Sequence, residues 1–242
     1  MKARLGGYAI WQVRDFLFER AAAILVIGAT LVWATSMQIN DGTRRFIAAG
    51  GHQVVEFGNR AVAQHLTLTW FICALLAVHG ISSNDRTTGR FRLIFAKPVR
   101  VLPYYAQAYL LHGVGFMLFT LAAVAALSRL VPVSGTTLQA ATMILLVSYL
   151  LVGGVCFLFS AIWRFDWVST GAVLGAEMFL ASKFPHARWL DILPPFWKIS
   201  DQIDVMKTME PLSVPTLLWA AAYGVACFLL GLIILKRRPL AT

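Results

Sequence analysis

Apolar residues are gathered along this chain into six long windows that polar segments separate. An α-helix rises 1.5 Å per residue, so about 20 apolar residues suffice to cross the hydrocarbon core of a bilayer. The windows that reach or approach this length cover residues 21–39, 61–81, 104–127, 138–163, 167–182 and 214–235. The pattern predicts an all-α membrane protein with six transmembrane helices, in a single transmembrane domain that covers residues 1–242.

A shorter amphipathic stretch, about residues 5–20, precedes the first window. Helical periodicity places a set of apolar side chains on one arc of this stretch: Leu5, Ala9, Ile10, Val13, Phe16 and Leu17. Such an arc is typical of an interfacial helix that lies along the headgroups of a membrane. A simple extension of the first transmembrane helix is the alternative.

Two connections between the windows also carry information. Arg164 and Asp166 leave room for only a very tight turn between the fourth and fifth windows, which predicts a helical hairpin. Residues 183–213 combine prolines with aromatic and aliphatic side chains. This mixture favours short helices that dip into the outer headgroup region, and an ordinary extracellular loop is the alternative.

Composition supports a membrane environment. The chain has 242 residues, of which 59% are hydrophobic and only 13% are charged, and its mean hydropathy is +0.71. A soluble domain of this size could not bury so much apolar surface. The net charge of +10 belongs to residues between the apolar windows, so we expect contact with anionic headgroups and no nucleic-acid binding.

The distribution of basic residues predicts the orientation. An even number of spans places both termini on one side, together with the loop between the second and third spans. That side carries three basic groups, Lys2 to Arg20, Arg86 to Arg100 and Lys236 to Arg238, whereas the basic residues of the other side are spread over longer loops. By the positive-inside rule, both termini are expected to be cytoplasmic, in the inner or plasma membrane of the cell.

The loop between the second and third spans has the composition of a docking element. Asn84 or Asp85 can cap a short helix, and Gly89 permits a turn or a close approach. Arg90, Arg92, Leu93, Ile94 and Phe95 then place charge and apolar bulk side by side, and Pro98 ends the segment. A basic loop that only sets the orientation of the protein is the alternative.

This loop resembles a known family. An acidic residue, a basic residue and a glycine, followed by Leu-Ile-Phe-Ala-Lys-Pro-Val and Tyr-Tyr, resemble the permeases of type 2 ATP-binding-cassette (ABC) transporters. The residues that match are Asp85, Arg86, Gly89, Leu93, Lys97, Pro98 and Val99. In that family the stretch is a cytoplasmic coupling helix that contacts an ATPase subunit. The family more often has glutamate at the acidic position, and often has lysine where this chain has Gln107 or Ala108.

The resemblance also implies partners. The sequence contains no G-x-x-x-x-G-K-[ST] loop, so ATP would bind to a separate ABC ATPase subunit, and this chain would hold no cofactor and catalyse no reaction itself. Six spans form half of the usual pathway, which implies a second permease copy or homologue and, by resemblance, export. Gly171 and Gly175 form a small-xxx-small pair that favours close helix packing; we expect it to serve internal packing rather than the dimer.

Glu177 is a candidate pathway residue because it lies near the middle of the fifth window. A carboxylate at this depth is costly unless it faces protein or water. It therefore either lines or gates the pathway, or is a paired or protonated structural group.

Histidines raise the alternative of a non-transporting membrane anchor or a haem-binding, cytochrome-like subunit. His65 and His79 lie fourteen positions apart and share a helix face, as the ligands of two stacked haems do in some membrane cytochromes. Two haems would need a matching pair of histidines on a second helix, however. The only other histidine inside an apolar window is His112, which is expected at a different depth from His79. We therefore expect structural histidines and no metal site. An intramembrane hydrolase is disfavoured because the apolar windows contain no aspartate and no matched serine and histidine.

Overall fold

The computed structural model describes residues 5–87, 100–184, 187–208 and 210–237. This part of the chain is helical and contains no β-strand. The α-helices are α1 (Leu5–Phe16), α2 (Ala22–Gln38), α3 (Asp41–Ala49), α4 (His52–Val78), α5 (Ser83–Thr87), α6 (Val101–Leu130), α7 (Gly135–Ile162), α8 (Asp166–Lys183), α9 (Phe196–Lys207) and α10 (Val214–Arg237). A π-helical turn, Leu17–Ala21, joins α1 to α2, and a 3₁₀ turn, Arg188–Ile192, precedes α9.

Five helices of the described chain are long and apolar enough to cross a membrane. They are Gly7–Gln38, His52–Asp85, Val101–Leu130, Gly135–Ile162 and Val214–Arg237. The chain is therefore a multi-pass helical membrane protein in outline. α8 corresponds to the fifth predicted window, but its 18 residues include Asp166, Glu177 and Lys183, and it is not among the five. The sixth span stays a prediction.

The centre of the bundle is the contact between α7 and α10. A Cβ atom added to Gly154 would collide with the carbonyl oxygen of Gly224, and one added to Gly224 would collide with the carbonyl oxygen of Leu150. The two backbones are therefore in direct contact, which only glycine at these positions permits. Farther along, Gly231 lies against Phe157, so the two helices run parallel.

The bundle has two ends, which we name by residues. The Gly80 end contains the last residues of α4, the first turn of α6, the last turn of α7 and the start of α8. The Pro132 end contains the connection between α6 and α7, where the amide of Ser134 donates to Asn59 Oδ1 (3.0 Å). Ser134 also caps α7, because its hydroxyl oxygen accepts from the amide of Thr137 (3.1 Å).

The N-terminal stretch is helical, and its apolar side chains differ in burial. Ile10 is 75% exposed and Leu17 is 47% exposed, whereas Phe16 is buried against α6 beside Gly115 and His112. The π-helical turn rotates the residues after Phe16 relative to those before it. α1 continues directly into α2 and lies beside the first turns of α6, where the rings of Tyr8 and Tyr104 are 5.9 Å apart. Its interfacial position stays a prediction.

The segment before α10 is folded rather than an open loop. α9 presents one buried face to α4, α7, α8 and α10, formed by Phe196, Ile199, Gln202, Ile203 and Met206. The amide of Ser213 donates to Gln202 Oε1 (2.6 Å), which ties the end of the segment back to α9. Short helices are thus found within residues 183–213, and their position in the outer headgroup region stays a prediction.

Candidate functional site at the Gly80 end

The site begins where α4 stops. Gly80 has φ +78°, a left-handed conformation that glycine adopts without strain, and α4 ends at Val78 just before it. After this turn the chain enters α5, the short helix that leads into the predicted coupling segment. Gly80 thus sets the direction in which the loop between the second and third spans leaves the bundle. We call residues 79–83 the loop root.

One side of the loop root is held by α7 and α8. The amide of Gly80 donates to Asp166 Oδ2 (2.7 Å), and the hydroxyl of Ser83 donates to the same oxygen (3.1 Å). Ser160 Oγ accepts from the amides of Ser82 (3.2 Å) and Ser83 (2.9 Å). Asp166 and Ser160 are buried, so these bonds satisfy polar groups that water does not reach.

The other side of the loop root is held by Arg20. Its Nη2 donates to the carbonyl oxygen of His79 (3.0 Å), and its Nη1 lies 3.2 Å from the imidazole of His112. His112 Nδ1 lies 2.9 Å from the carbonyl oxygen of Ala77 and donates to it, and Nη1 of Arg20 is equally far, 3.2 Å, from Nδ1 and Nε2 of the same ring. The last turn of α4 therefore finds partners for carbonyl groups that a helix end leaves unpaired.

A third contact reaches α5. Tyr105 Oη donates to Asp85 Oδ2 (3.3 Å), and Gln12 Nε2 donates to the carbonyl oxygen of Tyr104 (3.2 Å). Asp85 is only 7% exposed. The beginning of the loop is thus held by side chains from the N-terminal helix and from α6, α7 and α8.

The structure describes only the first two predicted coupling residues. Asp85 lies in α5 and is turned inward, so in this conformation it holds the loop rather than facing a partner. The backbone of Arg86 lies in α5 as well. Gly89, Leu93, Lys97, Pro98 and Val99 lie outside the described residues.

Glu177 lies deep in the bundle and caps a helix. Its side chain is fully buried; Oε2 accepts from the amide of Phe196 (3.3 Å) and Oε1 from the amide of Trp197 (3.4 Å). These are the first two amides of α9, where a carboxylate is favourable. Glu177 is eleven positions after Asp166, so it lies about 16 Å from the Gly80 end. The ring of Phe196 accordingly lies 5.9 Å from that of Phe71 on α4. These contacts account for the carboxylate as a structural group.

The histidines are not arranged as the sequence predicts. The expectation that His112 lies at a different depth from His79 is wrong, because His112 is bonded to Ala77, only two residues before His79. The reason is that α6 begins beyond the end of α4. Its first turns lie beside the loop, where Tyr105 meets Asp85, and His112 therefore lies level with the end of α4. His65 is buried on α4 and its Nδ1 has no hydrogen-bond partner among the described residues. Within that part of the chain, no three metal-binding side chains converge.

The small-residue pair of α8 does not pack inside the protein. A Cβ atom added to Gly171 or Gly175 would meet no other atom within 4 Å. The expectation that this pair serves internal packing is therefore wrong. The reason is that α8 turns other residues inward, with Asp166, Thr170 and Glu177 buried.

Sequence reasoning missed Arg20, His112, Ser160 and Asp166 as parts of this site. From the sequence, Arg20 is interpreted as one of the basic residues that set orientation, and Asp166 is interpreted as part of a tight turn. The available signal was the cost of placing an arginine at the edge of an apolar window. No model of a known protein family matches the sequence, and no curated protein matches it.

Proposed function

We propose that this chain is the transmembrane permease subunit of an ATP-driven transporter of the type 2 ABC class, acting in export. The observation that carries the proposal is the sequence from Asp85 to Val99, which has the residues and order of that family's coupling helix. The helical fold with several membrane-spanning helices is the architecture that such a subunit requires.

The anchoring of the loop root supports the proposal. A segment that transmits force from an ATPase must be attached firmly to the spans, or its movement is lost in the loop. Asp166, Ser160 and Arg20 attach residues 79–83 to the helices on either side.

In the proposed cycle, ATP binding draws two ATPase subunits together and the loops pass this movement to the spans. The energy source is a separate chain, because this sequence has no phosphate-binding loop. A second permease copy or homologue completes the pathway. The unpacked face of α8 at Gly171 and Gly175 is a surface on which that second copy could pack. In this assembly the termini and the loop root face the cytoplasm of an inner or plasma membrane.

The first test is whether an ABC ATPase gene lies beside the gene of this chain, and the second is whether the chain captures that ATPase. We expect the purified, lipid-embedded chain to bind it, and the combined change Gly89→Leu, Lys97→Glu and Pro98→Gly to reduce binding at least tenfold. Arg45→Glu is the matched control, because it reverses an exposed basic charge in α3, at the opposite side of the membrane. Full binding by the altered loop would refute the docking assignment. Absence of binding by the wild-type chain would favour the membrane anchor or cytochrome-like alternative.

A further inference from the structure

Arg20 is a buried cation in a place where the sequence suggests an exposed one. It is 3% exposed, whereas its neighbour Glu19 and the earlier Arg14 face outward. The π-helical turn Leu17–Ala21 contains it. Such turns are rare, are less stable than α-helix and are concentrated at functional sites. The turn therefore has a local purpose, which the contacts of Arg20 identify.

The purpose is a bond to the loop root. Nη2 of Arg20 donates to the carbonyl oxygen of His79, the residue between the end of α4 and Gly80. A guanidinium at the C-terminal end of a helix also meets the negative end of the helix dipole. Nearby carboxylates of Asp15 and Glu19 offset part of the cost of burying the charge.

The second bond of Arg20 fixes its direction. Nη1 faces His112, which α6 supplies and which is itself bonded to Ala77 of α4. A planar guanidinium that bonds His79 and also lies against the His112 imidazole is held in one orientation, whereas a lysine ammonium is a compact charge on a flexible stem and fixes direction less strongly. Arg20 thus joins the first helix, the end of α4 and, at His112, α6 at one point.

We propose that Arg20 is a positioning residue that fixes the direction in which the loop root leaves the bundle, and through it the docking of the ATPase. The second part rests on the proposed function. Asp166 and Ser160 hold the loop root from α7 and α8, and Arg20 holds it from the N-terminal helix. With Arg20 removed, the bonds from Asp166, Ser160 and Tyr105 remain but the bond at His79 is lost, and the docking segment leaves the bundle over a wider range of directions.

The experiment compares Arg20→Gln and Arg20→Lys with Arg14→Gln. The control removes the same charge from the same N-terminal helix at an exposed position, where Arg14 lies over the ring of Phe18. All variants are the full chain in lipid nanodiscs. Two quantities are measured, the hydrogen exchange of residues 80–83 and the concentration of the neighbouring-gene ATPase that gives half-maximal ATPase activity of the complex.

We expect Arg20→Gln to exchange residues 80–83 about tenfold faster, since a charge-assisted bond at the loop root is lost. The half-maximal ATPase concentration rises by about the same factor, while the maximal rate returns at saturation. A merely misfolded sample would lower the maximal rate and leave the half-maximal concentration unchanged. Arg20→Lys gives intermediate values of the exchange rate and of the half-maximal ATPase concentration, and Arg14→Gln gives wild-type values of both.

Wild-type exchange and wild-type half-maximal concentration in folded Arg20→Gln would overturn the inference. If Arg20→Gln fails to fold, the same two wild-type values in Arg20→Lys would overturn it. A wild-type chain that activates no ATPase would instead refute the proposed function, and the exchange of residues 80–83 would still decide whether Arg20 holds the loop root.

Discussion

Two buried carboxylates hold neighbouring segments to α8. Asp166 accepts from the amide of Gly80 and, through Oδ1, from the amide of Trp167 (2.8 Å). Glu177 accepts from the first two amides of α9. In each case the acid satisfies backbone groups of a turn or helix end that lies away from water. Single side chains therefore decide where two connecting segments sit.

Replacing Glu177 should destabilise the protein. Glu177→Ala leaves two buried amides of α9 without an acceptor, and we expect it to lower the free energy of unfolding by about 1–3 kcal/mol. Glu177→Gln keeps one acceptor oxygen and should cost less. Thermal unfolding in detergent measures both.

Asp191→Ala is the control for Glu177. Asp191 belongs to the same segment and pairs with Lys198 (2.5 Å), but it is exposed, so its loss should cost below about 1 kcal/mol. Equal losses for Glu177→Ala and Asp191→Ala would contradict the capping role. Normal assembly with unchanged transport in Glu177→Gln would argue against a pathway role.

At this scale the sequence indicates which residues are unusual but not what they contact. Glu177 stands out because a carboxylate in an apolar window is costly, yet its partners come from α9, twenty residues later. Arg20 is harder to interpret, since the residues that it contacts, His79 and His112, lie 59 and 92 positions later in the chain. Long-range pairing decides both roles, and periodicity within one helix cannot reveal it.

At the scale of elements, hydropathy predicts where the chain crosses the membrane better than it predicts where each helix begins and ends. α4 begins at His52, nine residues before the apolar window that predicts it. An apolar window marks the residues that lie in the hydrocarbon core, whereas the hydrogen-bonded helix extends beyond that core. The helical hairpin of the fourth and fifth windows is found as predicted, with α7 ending at Ile162 and α8 beginning at Asp166. α3 is not marked by any window, because it is short and polar.

The contact between α7 and α10 gives a prediction at the same scale. Gly224→Ala should force the two backbones apart and lower stability by about 1–3 kcal/mol, because the added methyl group meets a carbonyl oxygen and cannot move. Gly171→Ala is the matched control. Its methyl group enters open space, and higher helix propensity should raise stability by up to about 1 kcal/mol.

Thermal unfolding of both glycine variants in the same detergent makes the comparison. A Gly224→Ala protein as stable as wild type would show that the helices are not in backbone contact. A strongly destabilised Gly171→Ala protein would show that the α8 face is covered.

At the scale of the whole molecule, topology is the testable statement. We expect a cysteine at Arg45 to react with a membrane-impermeant maleimide on intact cells, and a cysteine at Arg237 to react only after the membrane is opened. Both positions are exposed. The native thiols give little background, because Cys73 and Cys156 are buried and Cys227 is half-buried. Labelling of both sites from outside would rule out an even number of crossings, and the reverse pattern would invert the orientation.

The α7–α10 contact also has a mechanical consequence. Two helices whose main chains touch cannot slide or rotate against each other without clashing, so α7 and α10 form one rigid unit, which we call the post. By contrast, α2 buries only Ile24 and Gly28, and α8 buries only three side chains. Any rearrangement of the protomer should therefore leave the post intact and displace the outer helices around it, so that strain concentrates in the short connections at the Gly80 end.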